Sequence, residues 1–138
     1  MTFSIKSIAS WSVIVLILIQ FIPLNRINPP ANPKIQLPDT IKSSLKKACY
    51  DCHSYETQWT QIAYVAPASW LACSIVSSGR TALNFSTLNK NQRGELLLTM
   101  KIRNVVKKGS AHQQLYYLLK PEAQLSTTET KSLLQWLN

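Results

Sequence analysis

Metal-binding side chains are scarce in this chain: its 138 residues include three cysteines and two histidines. Outside one short run only Cys73 and His112 remain, far apart and unpaired, whereas structural zinc takes four ligands and usually a second ligand pair. That scarcity disfavours a structural zinc site. Three glycines and seven prolines are too few for a low-complexity chain, and there is no internal repeat. No segment alternates apolar and polar residues as a half-buried strand does, so the fold reads as all-α. That absence also removes the βαβ setting of a thioredoxin-like cysteine pair. Acidic residues are few, six Asp and Glu against fifteen Lys and Arg, for a net charge of +9. No nucleic-acid-binding motif accompanies the charge, which points instead to an acidic protein or an anionic membrane surface. A chain this short makes one domain.

Against this background stands the run Cys49-Tyr50-Asp51-Cys52-His53, a C-x-x-C-H pentapeptide. Two thiols separated by two residues on a helical turn can add to the two vinyl groups of a haem, and the adjacent histidine supplies an axial imidazole. The run predicts one haem c, covalently attached through Cys49 and Cys52, with His53 as an iron ligand. A covalent haem also adds apolar bulk to a domain with a modest core. Lys46 and Lys47 precede the run, and Lys101, Arg103, Lys107 and Lys108 cluster further on. Beyond Asn25 there are 14 basic and 6 acidic residues, a balance of +8.

Residues 7–25 carry no charged side chain, and 12–19 are strongly apolar. Nineteen residues rise roughly 28 Å as a helix, close to the ~30 Å hydrocarbon core. Lys6 and Arg26 bracket the segment, with Trp11 and Phe21 near its ends. Ile22-Pro23-Leu24-Asn25 offers no A-x-A cleavage site, and there is no lipobox cysteine. The expectation is an uncleaved transmembrane anchor at 1–26, a proline-rich linker at 27–37 and a haem domain at 38–138. Haem is attached to C-x-x-C-H on the outer side of the membrane. The expected topology is therefore a single pass, with a cytoplasmic amino terminus and a periplasmic (or equivalent extracytoplasmic) haem domain. Cys73, the odd cysteine, lies in an apolar run and reads as a buried free thiol.

Helices are expected from Asp39, as N-cap, through Ile41, Leu45 and Ala48 toward Cys49, and from Trp70 to about Ser78, ended by Gly79. A third spans about Asn91 to Lys108 on Leu96, Leu97, Met100, Val105 and Val106, stopped by Gly109. Residues 114–119 suggest a short helical turn. A last helix carries Leu133, Leu134, Trp136 and Leu137 behind the capping-box run Ser126-Thr127-Thr128-Glu129. Residues 54–66, with Tyr55, Trp59 and Tyr64, read as a loop over something flat and apolar. Leu83-Asn84-Phe85-Ser86 reads as a polar turn with an apolar plug.

Five segments occur in an order that resembles the bacterial haem-binding domain family, a small cytochrome c-like group. They are Ala48 to Ser54, Ala66-Pro67-Ala68-Ser69-Trp70-Leu71, Gly79-Arg80, Leu83-Asn84-Phe85-Ser86 and Leu118 to Ser126. The resemblance covers about residues 36–138. It implies an all-α, cytochrome c-like haem domain of about four or five short helices, preceded here by the transmembrane helix, and it implies no reaction. Such domains typically carry Gly-x-Met-Pro-Pro before the final helices, and its methionine is the natural second axial ligand. Here the stretch is Gly109-Ser110-Ala111-His112-Gln113-Gln114, with Ala111 at the methionine's place. His112, its neighbour, is the candidate second ligand, which would lower the reduction potential relative to methionine ligation. Met100, Cys73 and an open or water-bound site are the alternatives. Arg80 is a candidate partner for a haem propionate, or a cap for the turn after Gly79.

These features predict a membrane-anchored monohaem c-type cytochrome that carries electrons and is not an enzyme, possible as a small subunit of a respiratory or photosynthetic membrane complex. The expected partners are the membrane and an acidic redox protein or multisubunit electron-transfer complex, with no nucleic acid and no small-molecule substrate. The alternatives are a haem-based sensor or peroxidase-like protein with an exchangeable distal site, and a structural subunit of a membrane complex.

Overall fold

A computed structural model describes residues 4–32, 36–88 and 92–138, the last stretch with side chains from Thr99 onward. All regular structure among them is helical. The α-helices are α1 (Ile5–Leu18), α2 (Asp39–Ala48), α3 (Tyr50–His53), α4 (Ala68–Ala82), α5 (Gln92–Lys108), α6 (Ala111–Leu119) and α7 (Thr127–Trp136). Single 3-10 turns occupy Ile19–Phe21, Gln61–Tyr64 and Pro121–Ala123. Six α-helices thus follow residue 38, against four or five expected.

In α2, Ile41, Ser44, Leu45 and Ala48 recur at i, i+3, i+4 and i+7, and all are buried. Asp39 does not cap this helix. It makes no cap bond and instead places its charge in the first turn, at the positive helix end. The capping box of α7 forms as its sequence predicts, with Ser126 and Glu129 each accepting from the other's backbone N–H. Leu133 and Leu137 then pack with Ile41, Leu45, Tyr50, Phe85 and Ile102 in one core. Phe85 stacks on Tyr50 with ring centroids 5.1 Å apart, so the plug of the 83–86 turn seats beside the cysteine run. Lys47 Nζ meets both oxygens of Glu129, at 3.2 and 2.9 Å, tying α2 to α7. That contact, with the Ser126 bonds, draws the Glu129 carboxyl down to about 2.

In α5 the inward stripe is Ile102 and Val106. Met100, expected in the core, sits about 200° around the helix from Ile102 and is 54% exposed. Leu96 and Leu97 lie outside the described side chains. Gly109 ends the helix at φ 68, a left-handed conformation that suits glycine.

The structure corrects the amino-terminal expectation. Among the described residues, no helix is long and apolar enough to cross a membrane. α1 has 14 residues, a rise of about 21 Å against roughly 30 Å of hydrocarbon. At Ile19 the chain tightens into a 3-10 turn, and Gln20 within it is committed to the domain. Its Oε1 accepts from Ala66 N at 2.9 Å, and its Nε2 donates to Ala66 O at 3.2 Å. Arg26 donates to Ala63 O at 3.1 Å and lies 4.7 Å over the Tyr64 ring. Asn28 Nδ2 donates to Thr57 O at 2.9 Å, and Asn32 N to Ser86 O at 3.2 Å. The predicted transmembrane helix is therefore not supported. The single-pass topology with a cytoplasmic amino terminus falls with it, and the periplasmic placement of the haem domain, drawn from where C-x-x-C-H haem is attached, is not supported.

Candidate functional site

Cys49 closes α2, its N–H donating to Leu45 O at 2.8 Å, and opens α3. The single turn of α3 is closed by bonds to Cys49 O from Cys52 N at 3.2 Å and His53 N at 2.9 Å, which brings the three residues of the motif together. α4 crosses directly against them. A Cβ at Gly79 would lie 2.4 Å from Cys52 O and 3.0 Å from its carbonyl carbon. Gly79 is therefore not the helix stop expected from sequence. α4 runs on to Ala82, and the glycine permits the crossing.

The ring of His53 is held from behind. Its Nδ1 lies 2.9 Å from Gly79 O and 3.1 Å from Leu83 O. Both oxygens are acceptors, so Nδ1 carries a proton and Nε2 is the nitrogen left to meet a metal. Phe85 N donates to His53 O at 2.7 Å, fixing the main chain as well. A ring anchored through Nδ1–H and presenting a bare Nε2 is how proteins usually orient a metal-binding histidine.

His112 faces this ring, with centroids 6.3 Å apart and planes at 61°. Two imidazoles bound to opposite sides of one metal, each at about 2.0 Å, have centroids about 6 Å apart. The helical turn expected at 114–119 begins earlier, at Ala111, and so includes His112. Ser110 caps α6 by accepting from Gln113 N at 3.3 Å, and His112 sits in the first turn. His112 is exposed at the surface; partial desolvation, then the neighbouring His53, lowers its imidazole from the ordinary value. Leu115 and Leu119, three and seven residues on, give the His112 side of α6 an apolar surface, 50% and 73% exposed.

Burial and then Cys52 push the Cys49 thiol up to about 12, and burial and Asp51 raise Cys52. Neither is a ready thiolate, which argues against dithiol redox chemistry. Among the described residues, no three His, Cys, Asp or Glu side chains group into a metal-ion site. A haem brings its own equatorial nitrogens and asks only for axial ligands, which the facing imidazoles fit.

The remaining candidates fall elsewhere. Met100 is exposed on α5, and Cys73 is partly exposed on α4 rather than buried. Arg80 donates from Nε to Ser54 O at 2.8 Å, from Nη1 to Ile27 O at 3.1 Å, and from Nη2 to Asn28 Oδ1 and Thr57 Oγ1 at 2.7 and 2.9 Å. It clasps the amino-terminal segment to the loop after His53, and is neither free for a propionate nor a cap for the turn. Lys46 and Lys47 are paired with Glu56 and Glu129, so the positive charge just before the motif is largely balanced. Sequence reasoning missed Asp51, which joins Tyr116 and Lys120, and Ser110. The spacing Ser110-x-x-Gln113 has capping form and signals the start of α6.

The sequence pattern of a family described as the haem-binding domain matches residues 14–138. The chain belongs to that family and is a haem-binding protein. No curated protein and no solved structure matches it.

Proposed function

We propose that the protein is a monohaem c-type cytochrome that carries electrons. In this reading Cys49 and Cys52 would hold the haem through thioethers, and His53 and His112 would supply the protein's two nitrogen ligands to its iron. When bound, the haem supplies a one-electron iron couple. The carbonyls of Gly79 and Leu83 accept the Nδ1 proton of His53, which orients the ring and raises its basicity. His112 fills the opposite side and leaves no open position for a substrate. This favours electron transfer over a sensor, a peroxidase-like enzyme or a purely structural subunit. The observation that carries the reading is the 6.3 Å approach of two imidazoles, one with its tautomer fixed.

Matured in cells that attach c-type haem, the protein should keep a haem-stained band at its own mass after denaturation. Its spectrum should be low-spin and six-coordinate, and not promptly altered by carbon monoxide. Loss of all haem on acid–acetone extraction would overturn covalent attachment. A high-spin spectrum with prompt carbon monoxide binding would favour the sensor or peroxidase-like reading, and absence of haem the structural one.

The redox partner in this reading is an acidic protein or the acidic face of an electron-transfer complex. Lys101, Lys107 and Lys108 stay exposed on α5, and the chain's balance beyond Asn25 is +8. Electron-transfer rates with a separate acidic partner should fall several-fold as salt rises and the Debye length shrinks to about 8 Å. A rate flat with salt would show that the charge does not steer.

A further inference from the structure

We propose that Asp51, the second variable residue of the C-x-x-C-H run, is the positioning residue that keeps His112 against the iron. The inference rests on His112 being the second axial ligand. Asp51 Oδ2 accepts from Tyr116 Oη at 2.7 Å and from Lys120 Nζ at 2.8 Å, while Oδ1 accepts from Gln58 N at 3.0 Å. The carboxylate side chain is 14% exposed, so these bonds are poorly screened. Tyr116 and Lys120 follow His112 at i+4 and i+8, which puts all three on one stripe of α6. Asp51 lies two residues before His53. The same carboxylate that sits beside the proximal ligand therefore grips the helix that carries the distal one.

No residue of α6 is buried. Apolar packing does little to set its distance from α3, and a charged, two-donor clasp is the contact that sets it. Losing the clasp leaves α6 intact, because Ser110 still caps it, but lets His112 leave the iron more often. Asp51 touches neither ring and acts only through the position of α6.

The test uses the full haem-loaded chain and carbon monoxide as probe. In the ferrous protein, carbon monoxide binds only after His112 leaves. The binding rate should therefore reach a plateau at high carbon monoxide, set by the rate at which His112 dissociates. Asp51→Asn should raise that plateau about tenfold or more, as expected for loss of hydrogen bonds to a charged group. Tyr116→Phe and Lys120→Met should raise it less. Adding Tyr116→Phe to Asp51→Asn should change it little, because the bond is already weakened. If Asp51→Asn fails to take up haem, Tyr116→Phe, which leaves the attachment motif intact, decides the question. An unchanged plateau with only a lower melting temperature would make Asp51 a structural residue and overturn the inference. Wild-type binding that rises linearly with carbon monoxide and ignores His112→Ala would overturn the ligand assignment instead.

Discussion

Replacing His112 with alanine should convert a low-spin haem into a high-spin one that binds carbon monoxide on mixing. The expected effect is large because one bond to iron is lost outright and no strong ligand among the described residues stands ready to replace it. Met100 is on the outer side of α5, and Ser110, whose hydroxyl lies 3.5 Å from His112 Nε2, is a weak ligand for haem iron. Wild-type ferric protein should lack the weak near-infrared band of methionine–iron ligation. His112→Met keeps six-coordination if the thioether reaches, and should raise the potential by on the order of 0.1 V, within the roughly 0.8 V that axial ligation spans. His112→Ala with an unchanged spectrum, and Met100→Ala shifting to high spin, would move the ligand to α5.

The parts legible in the sequence are those whose physics is local. Cys49, Cys52 and His53 share one helical turn, so their spacing already states their chemistry. α2 and α7 announce themselves by apolar spacing and a capping box, both confined to a few residues. What stayed hidden depends on distant partners. The apolar run at 12–19 has the hydropathy of a membrane span, but Gln20 pairs with Ala66, 46 residues away, and the helix stops short. Gly79 looks alike as a helix end and as a crossing point, because absence of a side chain serves both. Met100 and Cys73 are apolar enough for a core, yet Met100 sits off the buried stripe of α5, and Cys73, between the buried Ser69 and Val76 of α4, is only partly covered. Asp51 carries no sequence signal of its link to α6, since the donors there, Tyr116 and Lys120, lie 65 and 69 residues later. His112 was placed by its neighbour Ala111, while its position in a helical turn followed from Ser110.

Gly79→Ala is expected to be far more damaging than an added methyl usually is. The new Cβ would stand 2.4 Å from Cys52 O, 3.0 Å from Cys52 C and 3.2 Å from Cys52 Cβ. The first two are backbone atoms of the attachment motif and cannot rotate aside as the end of a long side chain can. α4 cannot simply retreat either. Val76, one turn earlier, is buried, and Arg80, the next residue, is bonded at four points. Moving α4 outward also stretches the bonds from His53 Nδ1 to Gly79 O and Leu83 O, which fix the ring. Against this, alanine gains about 1 kcal/mol of helix propensity over glycine. Overpacking against backbone typically costs about 1–3 kcal/mol, and weakened bonds to His53 add about 1 kcal/mol or more. The clash wins, with a net loss of roughly 1–3 kcal/mol and a melting temperature lower by about 4–12 °C. Gly109→Ala is the control. It meets only Gln114 Nε2 at 3.9 Å, so its cost is the positive φ alone, about 1 kcal/mol, with the haem spectrum unchanged. Thermal melts of the haem-loaded proteins read both. Equal, small losses for the two variants would mean that α3 and α4 are not in contact at Cys52, and that the orientation of His53 is set by something other than this crossing.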